Sequence, residues 1–247
     1  MSDEQTPSAS TSATPATTRA TNVVLVHGAY ADGSSWSRVI PRLQRAGLAV
    51  TAVQNPLTSL ADDVAATRRA LDRQGAPTVL AGHSWAGTVI SEAGVHPSVT
   101  ALVYVAARAP DAGEDYGALT AQYPSPPASA GLVHAGGFVQ LSEAAFLADF
   151  ANGIATEEAR ALCAVQGPIA DTLFAGRTTV AAWRQRPSWY AVSRLDRTTN
   201  PDLERFLAHR MGATTIEVES GHLSMITHPE VIAQLILQAA GVAALTG

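Results

Sequence analysis

Short apolar runs, each about the length of a single strand, recur along this chain with stretches of helical periodicity between them. The strand candidates are residues 23–27, 48–53, 78–82, 100–106, 188–194 and 214–219. Between the first two, residues 35–46 predict a helix closed by Gly47, a residue suited to a helix C-terminus. The segment Thr58-Ser59-Leu60-Ala61-Asp62-Asp63 opens a second helix that runs to about Gln74. Its apolar residues Leu60, Val64, Ala65 and Leu71 recur at helical spacing. Residues 88–95 predict a third helix, ended by His96-Pro97. Residues 201–211 and 230–240 supply the last two. Strands alternating with helices imply an α/β fold: about six strands in a mostly parallel sheet, helices on both faces, and right-handed crossovers.

The alternation breaks once. Residues 108–187 begin Pro- and Gly-rich and then show helical character at 142–151 and 156–165. A structureless loop of that length inside a compact domain is improbable. The expectation is an inserted helical cap over the carboxyl ends of the strands, where α/β proteins bind ligands. The domain reading is therefore a core of residues 22–107 and 188–247, with a cap at 108–187. Residues 1–21, rich in Ser, Thr, Ala and Pro, read as a disordered tail; they lack the apolar segment of a secretory signal, and a cytoplasmic location is expected.

Composition narrows the function classes. A chain of 247 residues can bury a large core in one domain, and the net charge is −5. No basic block is present to follow a phosphate backbone, which argues against nucleic-acid binding. The longest apolar stretches are strand-sized, so no membrane span is expected. The single cysteine, Cys163, lies in a helical stretch and reads as structural. No close cluster of His, Asp and Glu has metal-ligand spacing, and no cofactor is implied.

The chemistry enters at Ser84. It follows the strand at 78–82 and precedes a helix, in the run Gly82-His83-Ser84-Trp85-Ala86-Gly87. A tight strand-to-helix turn lifts a serine hydroxyl to the sheet edge, and small neighbours let strand and helix approach. The usual form of the motif, G-x-S-x-G, is met here with Ala86 in the fifth place and Gly87 next to it. Serine needs a base. His27 beside Gly28 reads as a turn residue, and His83 should point away into the protein. His96 and His228 precede prolines, His134 falls in the cap, and His209 lies on an amphipathic helix. His222, on the Gly-bearing loop after the last strand, is the candidate base. Asp196, at the end of the fifth core strand, is the candidate acid that fixes its tautomer. The competing acids Asp202 and Glu204 fall in a first helical turn, where acids are common for dipole reasons. The order Ser84, Asp196, His222 is that of an α/β-hydrolase triad and of neither chymotrypsin nor subtilisin. The backbone N–H groups of Trp85 and Ala29 are the expected oxyanion donors.

The chain resembles the α/β-hydrolase superfamily, and within it the small esterases related to methyl-salicylate esterases and hydroxynitrile lyases. The resemblance rests on Val26-His27-Gly28-Ala29, Gly33-Ser34-Ser35-Trp36, the block Gly82 to Gly87, Asp196-Arg197-Thr198 and Gly221-His222, and covers the chain from about Asn22 onward. It implies a serine hydrolase that cleaves small carboxylic esters through an acyl-enzyme. Hydroxynitrile lyases of this scaffold carry a threonine after the first-strand histidine and a lysine after the catalytic one. Gly28 and Leu223 stand there instead, which disfavours lyase activity. Related epoxide hydrolases and dehalogenases place Asp at the position of Ser84. A cofactor-free lactonase, haloperoxidase or lyase on the same scaffold, or a non-hydrolytic small-molecule binding protein, is the alternative. Tyr30, Trp85, Phe138, Phe146, Phe174 and Trp183 are candidates for an apolar pocket under the cap.

Overall fold

The computed structural model describes residues 19–242. In chain order its strands are β1 (Asn22–Val26), β2 (Ala49–Val53), β3 (Thr78–His83), β4 (Val99–Val105), β5 (Leu132–Ala135), β6 (Phe138–Leu141), β7 (Ile169–Ala170), β8 (Ser188–Ser193) and β9 (Thr214–Val218). Six of these form one parallel sheet in the order β2-β1-β3-β4-β8-β9, with bounds that differ from the expected strands by no more than a residue. The helices are α1 (Ile40–Arg45), α2 (Leu60–Asp72), α3 (Ala86–Ala93), α4 (Tyr116–Thr120), α5 (Glu143–Ala145), α6 (Thr156–Ala164), α7 (Pro201–Arg210), α8 (Ser224–Thr227) and α9 (Pro229–Ala239). Where a long helix is expected at 35–46, a 3-10 turn at Gly33–Trp36 precedes the shorter α1, which begins with Pro41 in its first turn. Ser59 caps α2 by accepting from the Asp62 N–H, and Asn200 caps α7 through Asp202.

The chain steps from β1 outward to β2, then back across β1 to β3. Right-handed crossovers therefore set α1 and α2 on opposite faces. α1 packs with α9, and α2 with α3. β1 and β3 are buried along their whole length, as strands covered on both sides must be. The reversal of strand order lies between β1 and β3, which pair from Asn22↔Thr78 to Val26↔Gly82. The loops leaving their carboxyl ends thus emerge side by side, at the point where open α/β sheets form ligand crevices.

The insertion between β4 and β8 contains more than helix. β5, β6 and β7 make a small antiparallel sheet. Its hairpin turns on Gly136 and Gly137, both at positive φ (59° and 82°), the conformation that a two-residue turn between right-twisted strands demands. At 142–151 the expected helix is the single turn α5 running into a wider π-helical turn at Phe146–Phe150, while α6 forms as anticipated. The tail expected at 1–21 lies outside the described residues as far as position 18. Its end is part of the fold: Ala20 is fully buried, and its N–H donates to the Ala240 carbonyl at 2.9 Å.

Candidate active site

Ser84 sits between β3 and α3 with φ of +53°, in left-handed backbone that a serine adopts at a cost of order 1–3 kcal/mol. The surroundings hold it there. Its N–H donates to the Val105 carbonyl at 3.1 Å, and its carbonyl accepts from Gly87 and Arg108, both at 3.0 Å. Close approach explains the small residues. A Cβ on Gly82 would lie 2.9 Å from the Ala86 carbonyl oxygen, and one on Gly28 would lie 2.8 Å from the Ser84 Cβ. The severest limit is at Gly87, where a Cβ would come within 1.8 Å of the Arg108 carbonyl oxygen. Alanine at position 86 is accommodated because the crowding falls one residue later.

Asp196 and His222 follow the paired strands β8 and β9, joined as far as Ser193↔Val218. Asp196 Oδ1 accepts from the N–H groups of Thr198 (2.6 Å) and Thr199 (2.8 Å), and Oδ2 accepts from His222 Nδ1 at 2.6 Å. A carboxylate engaged by three donors is an acceptor only, so Nδ1 of His222 carries the proton and Nε2 is the bare lone pair. Both side chains of this pair are fully buried. Nε2 has no hydrogen-bond partner, and the link from the Ser84 hydroxyl to Nε2 is not formed. Ser84 itself is partly exposed.

Two further histidines organise the site. His27 accepts from the Asn55 N–H through Nε2 at 2.9 Å and donates through Nδ1 to the Gly28 carbonyl at 2.8 Å; burial lowers its pKa, and the neutral ring is a strut for the β1 loop. His83 donates through Nε2 to the His222 carbonyl at 3.1 Å, and its ring stands 4.6 Å from the His222 ring. Burial, and secondarily His222, hold His83 well below the ordinary imidazole range. It points inward as expected, and it also positions the backbone of the candidate base.

Glu204 departs from its sequence reading. It is fully buried on the inner face of α7, where Oε2 accepts from the Ser193 N–H at 2.9 Å and Oε1 has no partner. Burial first, and the adjacent Asp196 carboxylate second, push its pKa well above the usual glutamate range. It is a buried carboxyl beside Asp196, not a dipole-serving surface acid.

A cavity of about 160 Å³ opens beside Ser84. Its walls include Ala29, Tyr30, Trp85, Arg108, Phe150 and Phe174. Burial raises the Tyr30 pKa to about 12, so the phenol is neutral. The Trp85 Nε1–H donates to Asp63 at 2.8 Å, a buried carboxylate that also accepts from the Leu57 N–H, and this fixes the indole plane. Phe150 lies 5.2 Å from the His222 ring, so one wall of the cavity is the surface that covers the imidazole. The N–H groups of Ala29 and Trp85 make no hydrogen bond among the described residues.

Of the aromatic residues expected in a pocket, Tyr30, Trp85 and Phe174 are there. Phe138, Phe146 and Trp183 are not. Phe138 is 40% exposed on β6, facing away from the cavity beside Ser84. Phe146 is fully buried behind Phe150, at 4.8 Å between rings. Trp183 is tied by its Nε1–H to the Pro110 carbonyl (2.8 Å) and covered by Arg184. Phe150, Arg108 and Glu204 are the site residues that sequence reasoning missed. For Glu204 a signal existed: it shares a helical stripe with Leu203, Leu207 and Ala208, all buried.

Comparison with known proteins agrees with this architecture. The model of the alpha/beta hydrolase family matches residues 23–235, and the chain belongs to that family. It is 26% identical over 244 residues to the alpha/beta hydrolase nvfD of Aspergillus novofumigatus (strain IBT 16806), covering 89% of this chain and 96% of that one. Polyneuridine aldehyde esterase superposes with a TM-score of 0.76 at 17% identity, over 88% of this chain and 98% of the other. The methylesterase protein MES16 from Arabidopsis gives 0.74 at 16% identity, over 90% and 99%. Among the described residues no helix is long and apolar enough to cross a membrane.

Proposed function

We propose that this protein is a serine hydrolase that cleaves small carboxylic esters through an acyl-enzyme on Ser84. The observation that carries the reading is the buried Asp196–His222 pair at 2.6 Å, which leaves an imidazole lone pair at the sheet edge occupied by a strained serine. In this reading His222 Nε2 takes the Ser84 proton as Oγ attacks the ester carbonyl, and Asp196 stabilises the imidazolium. The attack requires Oγ and Nε2 to come within hydrogen-bond reach, about 2.6–3.2 Å, by movement of the serine side chain. The oxyanion of the tetrahedral intermediate is received by the free N–H groups of Ala29 and Trp85. His222 then returns the proton to the leaving alcohol, and water repeats the sequence to release the acid. Residues 108–187 act as the cap that shapes the pocket, since Ala128, Leu132, Leu141, Phe150 and Phe174 of that segment line the cavity containing Ser84. The esterase and methylesterase likenesses support ester chemistry over the lactonase and haloperoxidase alternatives. The partner is a small molecule.

The test is covalent. A fluorophosphonate probe should label Ser84 alone, mapped by peptide mass spectrometry, and Ser84→Ala should lose both labelling and turnover of a p-nitrophenyl ester. A folded protein that resists the probe and turns over no ester would instead be a binding protein.

A further inference from the structure

Among the described residues, Arg108 is the only charged one lining the cavity beside Ser84. It also lines a second cavity of about 190 Å³, again without any carboxylate in the wall. The two cavities share Arg108, Pro126, Thr198 and Thr199. The guanidinium carbon stands 4.4 Å from the Phe174 ring, 4.5 Å from Tyr116 and 5.4 Å from Trp85. Phe174 and Trp85 belong to the first cavity and Tyr116 to the second, so the charged group itself occupies the partition between them.

Other arginines of this chain spend their charge on acids: Arg184 on Asp111, Arg197 on Asp149, Arg205 on Glu217 and Arg210 on Glu114. Arg108 has no such partner among the described residues; the phenols of Tyr116 and Tyr30 act on its charge. Three aromatic faces offset part of the desolvation of the cation, yet none accepts a guanidinium hydrogen bond. Five N–H donors are thus set beside a cavity whose other polar wall groups are the hydroxyls of Ser84, Ser129, Thr198, Thr199 and Tyr30 and, at the Ser84 end, the main-chain N–H groups of Ala29 and Trp85. The fork of a guanidinium matches a planar carboxylate with two parallel hydrogen bonds. The backbone sets its place, because the Arg108 N–H donates to the Ser84 carbonyl and its own carbonyl fills the space above Gly87.

We propose that Arg108 is a substrate-binding residue that pairs with a carboxylate, and that the preferred substrates are esters carrying a second, free carboxylate. The inference rests on the ester-hydrolase reading of Ser84 and names the substrate class of that site. The free carboxylate lies at the partition between the cavities, the ester carbonyl lies at Ser84, and an apolar spacer contacts Trp85 and Phe174.

Monomethyl esters of succinate, glutarate and adipate are compared with neutral methyl esters of matched length, at low ionic strength, for the wild type, Arg108→Gln and Arg108→Lys. The wild type should favour the anionic ester in kcat/KM at one or more spacer lengths. Arg108→Gln should lower that preference roughly 10- to 100-fold, the worth of a charge-assisted hydrogen bond, and Arg108→Lys should retain part of it. A wild-type preference for the neutral ester at every length overturns the proposal. So does an anionic-to-neutral ratio that Arg108→Gln leaves unchanged. Calorimetric titration of adipate into the wild type and Arg108→Gln reads the anion site without turnover. Adipate binding lost in Arg108→Gln, with no ester hydrolysed, sustains the site and removes the esterase reading. Hydrolysis of neutral esters without adipate binding does the reverse.

Discussion

The N–H of Arg108 donates to the carbonyl of Ser84 at 3.0 Å, so this charged residue of the cavity wall is held in register with the serine by the main chain. That bond and the van der Waals limit above Gly87 make one rigid unit of the turn after β3 and the turn after β4. Substitution of Gly87 by Ala should break the unit, because its Cβ would overlap the Arg108 carbonyl oxygen. The expected cost is about 1–3 kcal/mol, measured by urea denaturation. Activity toward any ester should fall further than stability alone accounts for.

Asp196→Asn should leave the fold intact and lower kcat on the order of 10⁴-fold, as loss of tautomer control does in serine proteases. An asparagine amide can present its N–H to Nδ1 and drive the proton onto Nε2, which removes the lone pair that the proposed mechanism uses. Steady-state kinetics beside a thermal melt checks it, and near-normal turnover would assign the role to another acid.

Glu204 yields a pH prediction with a definite sign. Its folded pKa is raised, so its contribution to stability is fully present below the ordinary glutamate pKa. That contribution is lost as pH rises toward the folded value, because the unfolded chain has already released the proton. Glu204→Gln cannot ionise and lacks this slope. Relative to the wild type the variant should gain about 1.4 kcal/mol per pH unit across that window. Denaturant midpoints of both proteins, taken at a series of pH values from mildly acidic to mildly alkaline, read the difference. Parallel curves would mean that Glu204 is ionised in the native state.

Phe150→Ala and Phe174→Ala should change which ester is preferred, by about 1–3 kcal/mol of transition-state discrimination per lost apolar contact. The check is kcat/KM for a short-chain and a bulky aromatic ester. Phe138→Ala, on the exposed face of β6, should alter neither.

The core was legible because its signals are local. Strand-sized apolar runs, Gly47 after α1, Pro97 after α3 and the small residues flanking Ser84 each report on a few neighbouring residues, and the six strands follow from them. The triad candidates were legible for a related reason: each ends or closely follows a strand, and chain order supplied the rest. The insertion obeyed no such rule. β5 is exposed along its length, so burial left no period to read, and only the Gly136-Gly137 pair marked the hairpin. Among its aromatic residues, identity does not tell which way a ring faces. Phe150 meets the cavity from the end of a π-helical turn, and Phe146 one turn earlier is core. Arg108 drew no reading from the sequence, and Glu204 was read as a first-turn acid placed for the helix dipole. The place of Arg108 is settled by long-range packing that no window of sequence contains, whereas the buried stripe of α7 marked Glu204.

The bond from His83 Nε2 to the His222 carbonyl joins residues 139 positions apart and spans a sheet in which β4 and β8 lie between their strands. The serine turn is completed by the first half of the chain, whereas its base arrives only with the last strand. In the proposed mechanism, a chain lacking β9 and the loop after it would hold the serine turn without the base that activates it, so the reaction centre depends on contacts that are long-range in sequence.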